Sequence, residues 1–410
     1  MSNKIRLSAK RSLPITAAAL AGAIGLAYSA PARGATCESL GAKRVYVAGS
    51  TAVKPFLAAV AKSLVSSSTP ITIVYQGQGS CTGVNYMTTS PAGAITGTGT
   101  VWNATGTEAS CDLTAVTGDM VDIGVSDVYS SSCGYTLATG VKDFYGPIQS
   151  MVFAVPVTSS QTSISVEAAY MIFGFGADSA AHTVAPWTDP TALQVRSASS
   201  GTQQMIAAAL AQVGSGFSAA KMKGTSNSGS GGVLTGLNTL AAASAQDKAI
   251  GILAMDVVDA ESNRSMVKPL AFQFKGQSCG YTPDSSITAW DKQNVRDGHY
   301  AIWGPLHMFT SVGADGKSAK AEAQAVIDLL SGVPSADLLA IESTKGVVPD
   351  CAMRVTRTSE VGPMVSYMPP KSCECAFLAA ATGAAPATCK QCTITSTDCP
   401  ACNLGYCEVR

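Results

Sequence analysis

Histidine is nearly missing: the 410 residues hold three, His182, His299 and His307. None stands with a Gly-x-Ser-x-Gly elbow between a strand and a helix, so a serine-type catalytic triad lacks its parts. Charge is scarce as well, at 13% of residues against 46% hydrophobic, a balance that belongs to a folded chain and not to a disordered one. A Walker loop, Gly-x4-Gly-Lys-[Ser/Thr], does not occur, which removes one common way of cradling a phosphate. Repeats of fixed period and heptads are absent too. The one long apolar run, Leu13 to Tyr28, is too short and too rich in Gly and Ala for a membrane span.

That run reads instead as the core of an export signal. Lys4, Arg6, Lys10 and Arg11 precede it and small residues follow it, with candidate cuts after Ala30 and Ala35. Cutting after Ala35 removes those four cations and Arg33, so 27 basic and 27 acidic side chains become 22 and 27, a formal charge of −5. A basic surface for nucleic acid is therefore not expected. An anion would have to be held by local donors, because the field of the whole protein repels it.

Cysteine is plentiful, and its placement agrees with export. All 13 cysteines lie from Cys37 onward, as expected where disulfides persist, and the odd total leaves one thiol unpaired or linked to another chain. Seven crowd the end, from Cys373 to Cys407. Cys389-x2-Cys392 and Cys399-x2-Cys402 are spaced like two pairs of zinc ligands, but only six residues separate them, short for a zinc ribbon. Disulfides are the preferred reading there. Further upstream, the Gly/Thr-rich stretch from Thr88 to Thr117 shows little periodicity and reads as a surface excursion, stapled by Cys81 and Cys111.

Strand-like and helix-like stretches alternate along the rest of the chain, which argues an α/β fold. Arg44 to Ala48 alternates as a strand and leads through Gly49-Ser50-Thr51 into a helical run to Leu64. A second strand, Ile71 to Tyr75, enters Gln76 to Gly83, whose three glycines let backbone approach a ligand closely. Met120 to Asp127 reads as a buried strand ending in Ser126-Asp127, and a carboxylate at that position points into a crevice in open sheets. Ser150 to Val157 and Ala249 to Met255 are further strands, Ser163 to Phe173 a helix. Trp303 to Phe309 crosses the chain into another strand, and Ala319 to Leu330 is an amphipathic helix. Gly224 to Gly232 reads as a turn, so Ser230 is not taken for a nucleophile.

Val195 to Thr202 is the stretch richest in chemistry. One cation, Arg196, stands among Ser197, Ser199, Ser200 and Thr202 just before an uncharged helical run, Gln203 to Leu210. A helix start leaves backbone N–H groups unpaired, and hydroxyls with an arginine fork beside them suit an oxyanion.

Five stretches recur together in a known order: Val47-Ala48-Gly49-Ser50-Thr51, Tyr75-Gln76-Gly77-Gln78-Gly79-Ser80, Gly124-Val125-Ser126-Asp127, Arg196-x-x-x-Ser200-Gly201-Thr202 and Ala249-Ile250-Gly251. As a set they resemble the phosphate-binding periplasmic component of the phosphate ABC transporter. The resemblance runs from Arg44 to Phe309 and more weakly to Met368; the 88–117 stretch and the tail from Lys371 fall outside it. It implies an α/β fold of the two-lobed periplasmic-binding-protein (type II) kind, with crossing strands at the hinge, here followed by a cysteine-rich C-terminal tail. Residues 1–35 are then a signal peptide, 36–156 and 303–370 lobe I, 157–302 lobe II, and 371–410 the tail.

The implied site takes Thr51, Ala52, Ser80 and Asp127 from lobe I and Arg196, Ser200, Gly201 and Thr202 from lobe II. Hydroxyls, the N–H groups of Ala52, Gly201 and Thr202, and the Arg196 fork would donate to the ion. Asp127 would accept the proton of a protonated phosphate, a bond sulfate cannot make at neutral pH. Ala198 stands where the family carries an acidic residue that steadies the arginine, so Arg196 is expected to be less restrained. The resemblance implies no catalytic residue, metal or cofactor. It implies inorganic phosphate or a related oxyanion as ligand, a membrane ABC permease as partner, and a periplasmic or secreted location. The tail keeps a competing reading open, a surface-attached structural or adhesive protein of the same fold that meets a cell-surface partner through its cysteines.

Overall fold

The computed structural model describes residues 35–408 apart from 42, 394, 397, 398 and 400. The export signal expected at residues 1–35 lies, but for Ala35, outside the described residues. The fold is mixed α/β around one large sheet of eleven strands: β1 (Arg44–Gly49), β2 (Thr72–Gly77), β3 (Thr98–Trp102), β4 (Glu108–Asp112), β5 (Ile123–Ser126), β6 (Val141–Pro156), β7 (Leu193–Arg196), β8 (Thr225–Asn227), β9 (Ile250–Ala254), β10 (Val267–Pro269) and β11 (Trp303–Ser311). Their spatial order is β8-β7-β9-β6-β11-β5-β1-β2-β3-β4, with β10 also on β6.

β6 holds the two ends of this order together. Its first part pairs antiparallel with β11, from Val141 opposite Ser311 to Ser150 opposite Trp303. Its last part pairs antiparallel with β9, from Met151 opposite Ala254 to Ala154 opposite Gly251. From Gly146 to Pro156 every residue is buried, which matches a near-continuous apolar run in a strand covered on both faces.

On each side of β6 lies a parallel trio, β2-β1-β5 on one and β8-β7-β9 on the other. Helices leave the strand ends: α1 (Lys54–Val65), α2 (Ser80–Asn85), α3 (Val166–Phe175), α4 (Gly201–Leu210), α5 (Ser230–Ala242) and α6 (Met255–Val258). The close seat of α2 needs glycine. A Cβ on Gly49, whose φ is +138°, would fall 2.0 Å from the Val125 carbonyl oxygen, and one on Gly83 would fall 2.6 Å from the same atom. These two positions let α2 lie against the ends of β1 and β5, and so set where Ser80 sits.

Three expectations need correction. The 88–117 stretch is not a loose excursion: β3 and β4 form a hairpin that extends the sheet, Thr100 pairing with Tyr75 of β2. Thr98, Thr100 and Trp102 fall on one face of β3 and Val101 on the other, a strand that a Gly-rich composition disguised. The Cys81–Cys111 staple is replaced by Cys37–Cys111 and Cys81–Cys133. The helix expected from Ser163 begins only at Val166, after a short strand, with the Ser165 hydroxyl accepting from the Ala168 N–H.

In the tail, both cysteine pairs are split among disulfides, Cys375–Cys389, Cys392–Cys402 and Cys399–Cys407. Cys351–Cys373 ties the tail to the body, and Arg296 donates to Glu374 Oε1 at 2.6 Å beside it, both groups buried. Cys279, exposed, is the one cysteine without a disulfide among the described residues.

Two stability predictions follow from this packing. Cys373→Ser opens the link between tail and body and is expected to cost about 2–4 kcal/mol in urea unfolding under non-reducing conditions. Glu342, on the helix Ala336–Thr344, is 2% exposed, and burial pushes its carboxyl up to about 8 from 4.5. The folded chain keeps a proton there that the unfolded chain releases, so stability falls as pH rises from 4.5 to about 8. Glu342→Gln should remove that fall and exceed the parent at pH 8 by about 2–4 kcal/mol, measured by unfolding at both ends of the window.

Candidate functional site

Arg196 ends β7 and is 1% exposed. A buried guanidinium needs acceptors for its fork, and it finds them beside both strand trios. Nη2 donates to Thr51 Oγ1 at 2.7 Å and to the Ser228 carbonyl at 3.2 Å, Nη1 to Ser230 Oγ at 3.0 Å, and Nε to the Asn227 carbonyl at 3.4 Å. Its backbone N–H donates to Gln203 Oε1 at 2.8 Å, which fixes the strand end to α4. The brace expected to be missing at Ala198 is thus supplied by neutral groups. Because none of these partners is charged, the cation keeps its full charge for whatever faces it. Burial disfavours that charge, while Asp127 and then Tyr75 favour it.

Asp127 follows β5 and is 2% exposed. Ser50 Oγ donates to its Oδ1 at 2.6 Å and Ser80 Oγ to its Oδ2 at 3.0 Å, while its own N–H donates to Ser80 Oγ at 3.1 Å. Burial raises the Asp127 carboxyl above the usual range, against the pull of Ser50, Ser80 and Arg196. Both oxygens accept, the pattern of a carboxylate that can take one more proton donor on its remaining lone pairs. Ser50 Oγ also accepts from the Ala52 N–H at 3.1 Å, so the donor expected of Ala52 is spent inside the loop.

Ser200, Gly201 and Thr202 open α4, a ten-residue helix with Ser200 as its extended N-cap. All three are buried, and Thr202 Oγ1 has no hydrogen-bond partner. Gly201 touches the other side: a Cβ there would lie 2.3 Å from Ser80 Oγ and 2.7 Å from Asp127 Oδ2. The Cys81 N–H donates to the Ser199 carbonyl at 3.0 Å, a second direct bond between the two strand trios after Arg196–Thr51. Beside Thr51 and Ser230 lies a cavity of about 420 Å³, lined also by Tyr75, Gly77, Leu234 and Val257.

All eight residues expected at the site therefore meet at the ends of parallel strands. Sequence reading missed Ser50 as the partner of Asp127, and it missed Asn227, Ser228 and Ser230 altogether as holders of Arg196. The stretch Gly224 to Gly232 is no idle turn; it is β8, a loop and the start of α5. Its mix of Ser, Asn and Gly marks a turn and nothing more, so no local signal tied it to Arg196. Asp256 was missed as well: it is 1% exposed on α6, and neither carboxylate oxygen has a side-chain partner.

No protein-family model matches the sequence, and no curated protein matches it. Solved structures similar in shape include substrate-binding proteins of phosphate transport and a regulator. A protein assigned as a phosphate ABC transporter substrate-binding protein, with bound phosphate, from Clostridium perfringens is 14% identical over 75% of this chain and 99% of its own, with a TM-score of 0.48. An ABC-type phosphate transport receptor from Vibrio cholerae is 15% identical over 75% of this chain and 100% of its own, at 0.45. A mutant of OxyR from Corynebacterium glutamicum is 10% identical over 75% and 69%, at 0.40.

The contact at Gly201 is testable by unfolding. Gly201→Ala must push Ser80 or Asp127 aside and is expected to lose about 1–3 kcal/mol. Gly231→Ala, where a Cβ meets nothing within 4 Å, serves as the control and should lose nothing.

Proposed function

We propose that the chain is an extracytoplasmic solute-binding protein that captures inorganic phosphate between two lobes and presents it to a membrane ABC permease. The observation that carries this reading is the pairing of a buried, neutrally braced Arg196 with a buried Asp127 from opposite sides of the sheet. A tetrahedral oxyanion needs many donors, and Arg196, Thr51, Ser200, Thr202 and the start of α4 provide them, the Ser80 hydroxyl being already given to Asp127. Asp127 provides the single acceptor. A phosphate that carries one proton satisfies it, whereas sulfate would set two acceptors against each other.

In this reading residues 36–156 with 303–370 form lobe I and residues 157–302 lobe II, β6 and β11 being the strands that cross between them. Closure and release would then bend these two strands. Six disulfides among the described residues support an oxidising compartment, outside the cytoplasm. The tail is fastened to the body by Cys351–Cys373 and Arg296–Glu374, so it acts as part of the binding protein's scaffold. That fastening favours a binding protein over a separate adhesive module.

Calorimetry decides the matter. Phosphate and arsenate are expected to bind the purified protein saturably and sulfate not to bind; heat with sulfate or molybdate but none with phosphate would sink the reading. Asp127→Asn replaces the acceptor-only carboxylate with an amide that can donate, and it should narrow the preference for phosphate over sulfate by roughly tenfold or more.

A further inference from the structure

Asp256 is the buried ionisable group that the proposed site leaves unexplained. β9 runs parallel beside β7, Leu193 opposite Ile250 and Gln194 opposite Gly251, so Asp256 lies beyond the same strand ends as Arg196. The next residue, Val257, lines the cavity together with Thr51 and Ser230, the two hydroxyls bound to Arg196. α6 packs on β6, where the side-chain amide of Gln149 and Ser150 Oγ are likewise buried without partners.

The charged groups around Asp256 do not neutralise it. Asp127, beyond the end of β5, is within electrostatic reach, and Asp259 follows on its own segment. The Lys292 ammonium is taken by Asp259 at 2.7 Å and by Asp284 at 2.8 Å. Arg196 is engaged by the four neutral acceptors already described, and Tyr75, within electrostatic reach, donates its hydroxyl to the Ser50 carbonyl. An ionised carboxylate here would be a buried, unpaired charge beside a second carboxylate, so the proton stays on. Burial first and Asp127 second push the group well above its ordinary range. Backbone N–H groups of its own turn reach the carboxyl, but the O–H of the neutral acid finds no acceptor, which points to one that arrives from outside.

We propose that Asp256 is a specificity-determining residue of the anion site, a protonated carboxyl group that donates its O–H to one oxygen of the bound oxyanion. The inference rests on the reading of the cleft as an oxyanion site. Asp127 and Asp256 then do opposite work with the same functional group. The first accepts the ligand's proton and the second supplies one to a bare oxygen, so a monoprotonated tetrahedral dianion satisfies both. Arg196 and Asp127 leave the surrounding site neutral, and Asp256 adds a donor without adding charge.

The test is calorimetry of inorganic phosphate on the purified protein and on Asp256→Asn and Asp256→Leu, with thermal midpoints taken without phosphate. Asp256→Asn keeps a donor and carries no charge, and it should bind within about threefold of the parent. Asp256→Leu loses the donor and should bind roughly tenfold to a hundredfold more weakly, with a midpoint at or above the parent's. Should leucine prove too bulky to fold, Asp256→Ala gives the same comparison. Parent-like affinity in the Leu or Ala variant overturns the inference, and so does a tenfold gain in Asp256→Asn, which would mark an ionised, repelling carboxylate. Failure of the parent to bind phosphate is a distinct result: it removes the reading of the cleft, and the inference with it.

Discussion

A guanidinium taken out of water and braced only by uncharged oxygens is the constraint on which the rest of the structure depends. Arg196 needs acceptors in fixed directions, and no single element offers them. Asn227 and Ser228 give carbonyls, Ser230 gives the first hydroxyl of α5, and Thr51 reaches over from the other strand trio. An acidic brace would be the simpler solution, and it would also cancel the charge. The neutral one leaves the cation poorly compensated, with Asp127 in electrostatic reach and in no ion pair with it.

Holding these groups together is a task for backbone close to backbone. Parallel strands bring Gly49, Ser126 and Arg196 to neighbouring ends, and the helices that follow add hydroxyls at their starts. Glycine makes the spacing achievable: Gly49 and Gly83 let α2 sit on the strand ends, and Gly201 lets α4 approach Ser80 and Asp127. The shared strand β6 then sets how the two trios stand to each other, since it pairs with β11 along one stretch and β9 along the next.

Much of this was legible before any coordinates. Alternation placed β1, and short apolar runs placed β2, β5, β9 and β11, within a few residues. Thr51, Ser80 and Asp127 were legible as well, because each stands at the end of a strand beside glycine or hydroxyl residues, although the bond from Ser50 to Asp127 was not. What escaped notice depends on contacts far apart in the chain. Nothing in Gly224 to Gly232 reveals that Arg196, about thirty residues earlier, will need its carbonyls. The Cys37–Cys111 bond follows from the hairpin β3–β4, whose strands the Thr/Gly-rich composition concealed, while Cys81 on α2 pairs with Cys133 in the turn after β5.

The chain's overall charge makes the local nature of the site more than a detail. Without its first 35 residues the protein carries 22 basic and 27 acidic side chains, so its long-range field opposes the approach of any anion. That field acts through water and is screened within about 8 Å at physiological ionic strength. Around Arg196 the relevant groups are buried, and there the dielectric is lower and screening weak, so for the proposed anion one guanidinium and nearby hydroxyls would outweigh a distant excess of carboxylates. Affinity in that reading would be fixed by geometry over a few ångströms and not by net charge. The same reasoning would make carboxyl groups tolerable in the proposed anion site: at short range a carboxylate that accepts a proton, or a carboxyl that keeps one, would count as a hydrogen-bonding partner first and as a charge second.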